Sequence, residues 1–402
     1  MRSDWKYETI ADVCKVVTDG SHYSPKSVQN GKYMVSVKDF TEYGFDFSGC
    51  RQISEQDYKD LERGGCVPEY NDILIGKDGA RYFEDIILYQ QLEKPALLSS
   101  IAILRCDENK IVPEFLYYLL KTPSVRKNVK DNYGSGSAIP RIVLKDFRRM
   151  LVCYPDIEMQ KKIVSVLKDI DEKIRLNARI NKNLYAQARA FVSNWKMENA
   201  GCYDLVLLSD VAVINPNTYS QKEDWEYINY LDTSSITDGI ISEMQRIVPN
   251  IEKLPSRARR KIFANDIVFS TVRPNQRHYG IIYTPLPHML ASTGFAVIRS
   301  NYSKVCNELL YLCLTENEFI TKMQQLAEQS TSTFPSIKPS DLGGCKIPCA
   351  RGNEADNLTK ILKALFTLIA TNQSECTFLA ELRDSLLPKL MSGEIDVSDI
   401  DL

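Results

Sequence analysis

The sequence predicts a mixed α and β chain: two duplicated globular domains separated by a long antiparallel two-helix coiled coil. Three observations predict it. The 402 residues repeat themselves at one long offset. Each copy mixes short β-type runs with short helical ones, and each copy is followed by a long stretch with a single apolar face. The division expected is a domain over 1–155, a spacer helix over 156–200, a second domain over 201–350, and a second helix with a tail over 351–402.

The repeat is read from short matches in one register. Asn71-Asp72-Ile73-Leu74-Ile75 returns as Asn265-Asp266-Ile267-Val268-Phe269, an offset of 194 (71 to 265). Ala102-Ile103-Leu104-Arg105 returns at the same offset as Ala296-Val297-Ile298-Arg299, and Leu116-Tyr117 as Leu310-Tyr311. After one added residue, Ile139-Pro140-Arg141-Ile142 answers to Phe334-Pro335-Ser336-Ile337, and Asp146 to Asp341. This period is far longer than that of solenoids or propellers, so the unit repeated is a whole domain.

Within each copy, Asp72–Leu74 and Ser100–Leu104 are apolar β-type runs, matched by Asp266–Phe269 and Phe295–Ile298. Pro113–Leu120 and Asn307–Leu314 have the look of short helices. A small-residue loop follows in each copy, Gly134-Ser135-Gly136-Ser137 and Ser330-Thr331-Ser332-Thr333.

The long stretches carry helical spacing. Ile163, Leu167, Ile170, Ile174, Leu184, Ala188 and Phe191 line one face of the first, interrupted by Asn177 and Asn181. Pro155-Asp156 supplies a break and an N-cap, and Gly201 a stop. Leu358, Leu362, Leu365, Ile369, Leu379, Leu382 and Leu386 line the second, interrupted by Asn372 and followed by Gly393. At about 36 residues each, or roughly 55 Å, such helices need a partner, and each supplies one for the other. Polar residues in the seam disfavour slipped registers.

Composition bounds the function. The 44% hydrophobic and 25% charged residues are those of a globular protein. No run of eighteen apolar residues occurs, and Met1-Arg2-Ser3-Asp4 opens without the apolar core of a signal peptide, so a cytoplasmic protein is expected. The eleven cysteines form no C-x-x-C pair, which points to reduced, mostly buried thiols and to no metal site. A net charge of −2 gives no overall basic excess, although Arg257, Arg259, Arg260 and Lys261, and Arg141, Lys145, Arg148 and Arg149, form basic runs. No phosphate-binding or dinucleotide-binding glycine pattern is present. Asn215-Pro216-Asn217-Thr218 reads as a turn, and Glu108-Asn109-Lys110 is too short to mark a nuclease.

Three segments resemble a known family. Tyr154-Pro155-Asp156-Ile157-Glu158-Met159-Gln160-Lys161-Lys162-Ile163 resembles the opening of the first spacer helix of type I restriction–modification specificity subunits. The stretch from Leu382-Arg383-Asp384-Ser385-Leu386-Leu387-Pro388 to Gly393-Glu394-Ile395 is similar to the end of their second. Asp19-Gly20-Ser21-His22 resembles an element of their target-recognition domains, while the start of the second helix, Arg351-Gly352-Asn353-Glu354, departs from the pattern by lacking Glu-x-Gln. The resemblance implies a non-catalytic subunit that reads a bipartite, asymmetric double-stranded DNA target. It also implies two methyltransferase subunits as partners and motor–nuclease subunits recruited through them. S-adenosylmethionine, ATP and Mg²⁺ belong to those partners, with no cofactor or metal on this chain and no membrane contact. The helix pair would set the gap between half-sites, near one helical turn.

Candidate contacts follow from base-edge chemistry, in which arginine suits guanine and asparagine or glutamine suits adenine. Gly76-Lys77-Asp78-Gly79-Ala80-Arg81-Tyr82 and Ser270-Thr271-Val272-Arg273-Pro274-Asn275-Gln276-Arg277-His278-Tyr279 occupy matching places after a strand. The DNA-facing set is Ser21, His22, Lys77, Arg81, Arg141, Arg273, Asn275, Gln276, Arg277 and His278. The assembly set is Ile163, Leu167, Ile170, Ile174 and Leu184 on the first helix, and Leu362, Leu365, Ile369, Leu379 and Leu382 on the second. Two other readings stay open at this point: a coiled-coil scaffold without DNA function, and a nuclease or methyltransferase with an unrecognised site.

Overall fold

The computed structural model describes residues 5–134, 140–220, 222–301, 305–330 and 334–400. The opening Met1 to Asp4, Ile139, and the small-residue stretches at 135–137 and 331–333 lie outside the described residues. The chain forms two compact units, Met1–Ile174 with Thr377–Leu402, and Arg175–Cys376.

In unit one a four-stranded antiparallel sheet runs in the order Cys14–Asp19, Ile101–Cys106, Ile73–Gly76, Ile86–Leu88. The two central strands are apolar because both faces are covered. Ala102 and Leu104 pack with the helix Pro113–Lys121 through Phe115 and Leu116, and Ile101 and Ile103 pack with Val35, Leu97 and Tyr89. Trp5 joins the first of these cores, edge-on to Phe115 at 6.4 Å. Proline in the first turn of Pro113–Lys121 suits a helix start, where its missing N–H costs nothing. A smaller sheet joins Arg51–Ile53, Lys32–Val35 and Ala96–Leu97, the last pair parallel. Lys6–Thr9 pairs with Leu151–Tyr154.

Unit two repeats this plan with one strand added. Its first sheet runs Ala212–Ile214, Phe295–Ser300, Asp266–Ser270, Tyr279–Ile282, and Asp204–Leu207 pairs with Lys346–Cys349. Its smaller sheet gains a strand, Ala258–Lys261, beside Met289–Ser292, which pairs parallel with Ile228–Leu231. One basic run of the sequence is therefore a strand, with Lys261 bound to Glu223 and 5.2 Å from the ring of Trp225. Trp225 itself stacks on His288 at 4.9 Å.

The first long helix spans Ile157–Glu198, 42 residues, and the second Asn353–Met391, 39 residues. Asp156 caps the first, accepting from the Met159 amide at 2.9 Å, and Gly201 and Gly393 follow the two ends at positive φ. Within each unit the helix segments pair in opposite directions. In unit two Asn177 donates to Glu375, Tyr185 meets Phe366 edge-on, and Ala188 and Val192 pack in one core with Leu358 and Leu362. In unit one Asp171 faces Arg383, while Ile163 and Leu167 share a core with Leu387 and Leu390.

The seam corrects several expected positions. Ile163, Leu167, Leu362 and Ile369 are buried, and Ile170, Ile174, Leu184, Leu365 and Leu379 are half-buried. Leu382 faces solvent, because Arg383 turns inward to Asp171 instead. Phe366, absent from the expected stripe, is fully buried. Asn181 does lie in the seam: it donates to the Ile369 carbonyl at 3.1 Å and accepts from Asn372 at 2.8 Å.

Candidate nucleic-acid interface

In unit one the strand Ile73–Gly76 delivers a loop that the chain stitches to a distant segment. The Gly79 amide donates to the Pro140 carbonyl at 2.9 Å, and Ile142 to Lys77 at 3.0 Å, so that Asp78 and Arg141 stand opposite one another. Arg141 is exposed. Arg81 is exposed too, and Asp85, bonded to it at 2.8 Å, holds its guanidinium above its ordinary range.

The Asp19-Gly20-Ser21-His22 turn abuts this loop through one carboxylate. Asp19 Oδ2 lies 3.3 Å from Lys77 Nζ and 3.4 Å from His22 Nε2. A side chain at position 20 is impossible without rearrangement, since a Cβ would stand 2.3 Å from the Leu97 carbonyl oxygen. His22 projects outward. Two members of the expected DNA-facing set do not. Lys77 is buried, its charge committed to Asp19 and, at 3.8 Å, to Asp78. Ser21 is also buried, and its hydroxyl donates to the Tyr23 carbonyl at 2.7 Å. Both hold the turn and the loop together rather than facing solvent.

In unit two the strand Asp266–Ser270 delivers the matching loop at the matching place. The Arg273 amide donates to the Pro335 carbonyl at 2.9 Å, Ile337 donates to Thr271 at 2.9 Å, and Val272 stands opposite Ser336. Arg273, Asn275 and Gln276 are exposed around a short turn, Pro274–Gln276. The Arg273 guanidinium carbon lies 5.1 Å from the ring centre of Phe334. Arg277 is half-exposed and donates to Asn317 at 2.8 Å. His278 Nδ1 lies 2.7 Å from the Ile236 carbonyl, which orients the ring by a bond from that nitrogen. The strand after the loop begins at Tyr279, whose hydroxyl donates to Asp238 at 2.7 Å; burial, aided by that carboxylate, pushes its ionisation up to about 12.

The arrangement offers arginine, amide and imidazole edges from rigid loop anchors, the chemistry suited to base edges and phosphates. Three residues that organise it were not singled out from sequence: Asp19, which joins turn to loop, Phe334, and Asp238. Asp19 and Phe334 stood inside quoted motifs, but only packing reveals their roles. Asp238 opens an Asp-Gly pair, a local hairpin signal, but its bond to Tyr279 comes only from packing. Among the described residues no group of three or more His, Cys, Asp or Glu could hold a metal, and no helix is long and apolar enough to cross a membrane.

The helix surfaces carry a second feature. In unit two Leu176, Ile180, Ile361 and Leu368 are exposed, and in unit one Phe378 and Leu382 are, all on the long helices and outside the seam. Gln160, by contrast, is wholly buried: it accepts from the Val112 amide at 2.8 Å and donates to the Pro155 carbonyl at 2.9 Å, locking the helix start to its domain.

Residues 2–186 match the family described as the type I restriction modification DNA specificity domain. The chain is 21% identical to the type I restriction enzyme HindI specificity subunit of Haemophilus influenzae, over 98% of this chain and 100% of that one. It is 22% identical to a putative type I restriction enzyme MjaX specificity subunit of Methanocaldococcus jannaschii, over 98% and 94%. The crystal structure of a type I restriction–modification S subunit from M. genitalium superposes with a TM-score of 0.54 at 17% identity, covering 96% of each chain. That likeness concerns the fold.

Proposed function

We propose that this chain, a member of the type I restriction–modification specificity family, is the DNA-reading subunit of such an enzyme and carries out no bond-making step itself. Each unit reads one half of a bipartite, asymmetric double-stranded target. Two methyltransferase subunits dock on the exposed apolar positions of the helices and bring motor–nuclease subunits with them. S-adenosylmethionine, ATP and Mg²⁺ act on those partners. Leu176 and Ile180 lie one turn apart on the first long helix and Ile361 and Leu368 two turns apart on the second, so each exposed pair shares a helix face, which supports the docking.

The observation that carries the reading is one frame bearing two unlike loops. The anchors match, Gly79 to Pro140 and Arg273 to Pro335, while the side chains presented differ in every position that reaches solvent. A repeated frame provides two equivalent reading positions, and unlike loops make the target asymmetric. The test is to reconstitute the chain with its methyltransferase subunits, replace Val272–Tyr279 by the matching stretch of another family member, and map methylated sites on genomic DNA. One half of the target changes and the other stays. An unchanged target, or one lost wholly from a folded complex, contradicts the assignment.

A further inference from the structure

Two non-glycine residues of the second loop lie in the left-handed backbone region, Arg273 at φ 47° and Arg277 at φ 57°. Their counterparts at the repeat offset are Gly79 at φ 93° and Phe83 at φ 61°. The bend thus belongs to the duplicated frame rather than to either loop. At positions 79 and 273 it is fixed by the same amide-to-carbonyl bond, 2.9 Å in both copies. Left-handed backbone crowds a Cβ against the following carbonyl, a penalty that glycine escapes. Unit one meets the bend with glycine. Unit two keeps an arginine there and bears the strain, a situation that persists where the side chain has work to do.

What that side chain does is visible in its surroundings. Phe83 is buried in the core, and Arg277 is tied to Asn317 and stands 3.8 Å from Asp238. Arg273 instead is exposed, its guanidinium lying on Phe334, a large aromatic ring that is itself 54% exposed. Stacking holds the guanidinium plane while leaving its N–H edges outward, the presentation required for two parallel bonds to guanine O6 and N7. We infer that Arg273 is the guanine-reading side chain of unit two and that Phe334 is the positioning residue that holds it. Asn275 and Gln276, exposed beside it, supply amide edges for a neighbouring adenine. This inference rests on the DNA-reading function proposed above.

The experiment uses the full chain assembled with its methyltransferase subunits, S-adenosylmethionine, and a library of duplexes with randomised bases, sequenced for methylation. The wild-type complex selects a bipartite motif with guanine in one half. Arg273→Gly suits the backbone, so its thermal midpoint stays level or rises, yet preference for that guanine falls roughly 10- to 100-fold while the other half is retained. Phe334→Ala lowers the same preference, and adds nothing in the Arg273→Gly background. An Arg273→Gly complex that keeps the wild-type motif overturns the assignment of Arg273 while leaving the DNA-reading function standing. An undiminished further loss from Phe334→Ala in that background overturns the positioning role. A wild-type complex that selects no motif overturns the DNA-reading function itself.

Discussion

Arg105 grips Asp72 through two parallel hydrogen bonds, Nε to Oδ1 and Nη2 to Oδ2, each 2.9 Å, and Arg299 grips Asp266 in the same way at 2.6 and 2.8 Å. Each aspartate is fully buried and also accepts a backbone amide from three residues earlier, Glu69 or Phe263. Asn71 and Asn265, at φ 67° and 68°, turn the chain into the strand just before it. Around the guanidinium the copies part company: Glu69 sits 2.8 Å from Arg105, whereas the Phe263 ring centre lies 4.9 Å from Arg299.

Removing one partner of such a pair strands a buried charge. Arg299→Met is expected to lower the stability of unit two by about 3 kcal/mol, a value reduced for the part of the arginine that water reaches. Asp266→Asn placed in the same chain recovers part of the loss. Urea unfolding of the single and double variants checks both values.

In unit one the corresponding weak point is Asp171, buried between two helices and bonded by Tyr118 at 2.7 Å and Arg383 at 2.8 Å. Arg383→Ala should cost about 3 kcal/mol, and Arg383→Lys less, because a lysine keeps the charge but lacks the guanidinium plane. Thermal melting of the three chains ranks them. Equal midpoints would show that the ion pair carries no stability.

Thiol chemistry divides the eleven cysteines. Cys202 is exposed, whereas burial pushes the Cys306 and Cys313 thiols up to about 12. Iodoacetamide near neutral pH should alkylate Cys202 at least roughly 100-fold faster than either buried thiol, since only the thiolate reacts. Peptide mass spectrometry over a time course measures the ratio, and urea should abolish it.

Alkali should loosen unit two through its buried tyrosines. Burial is the main cause that raises Tyr185 and Tyr279 to about 12, from the ordinary value of 10. Both rings are kept neutral by the fold. Their contribution is complete below pH 10, where neither state ionises, and is lost as pH climbs from 10 through 12, where the unfolded chain ionises first. Tyrosinate absorbance followed together with circular dichroism is expected to rise as one step with unfolding for these rings. Tyr185→Phe moves that step to higher pH.

Much of the frame was legible from local pattern. The central strands fell at Ile73–Gly76 and Ile101–Cys106, close to the apolar runs that announced them, and Asn181 interrupted the seam as its polarity required. The direction of individual side chains was not legible. Lys77 reads as a surface charge until Asp19, remote in sequence, is seen to close over it. Leu382 continues an apolar spacing, yet the inward place goes to Arg383 because Asp171 waits there. Phe334 entered the sequence argument only as a repeat match, since nothing local says that a ring will stand exposed beneath an arginine. Such features depend on contacts between distant segments, which periodicity does not encode.

The three tryptophans are distributed unevenly: Trp5 lies in the core of unit one, and Trp195 and Trp225 in unit two. Replacing Trp195 and Trp225 by phenylalanine therefore leaves a single emitter, wrapped by Phe115 and its neighbours. Its fluorescence would follow the melting of unit one alone, an optical channel that times one half of the chain by itself, without an attached dye.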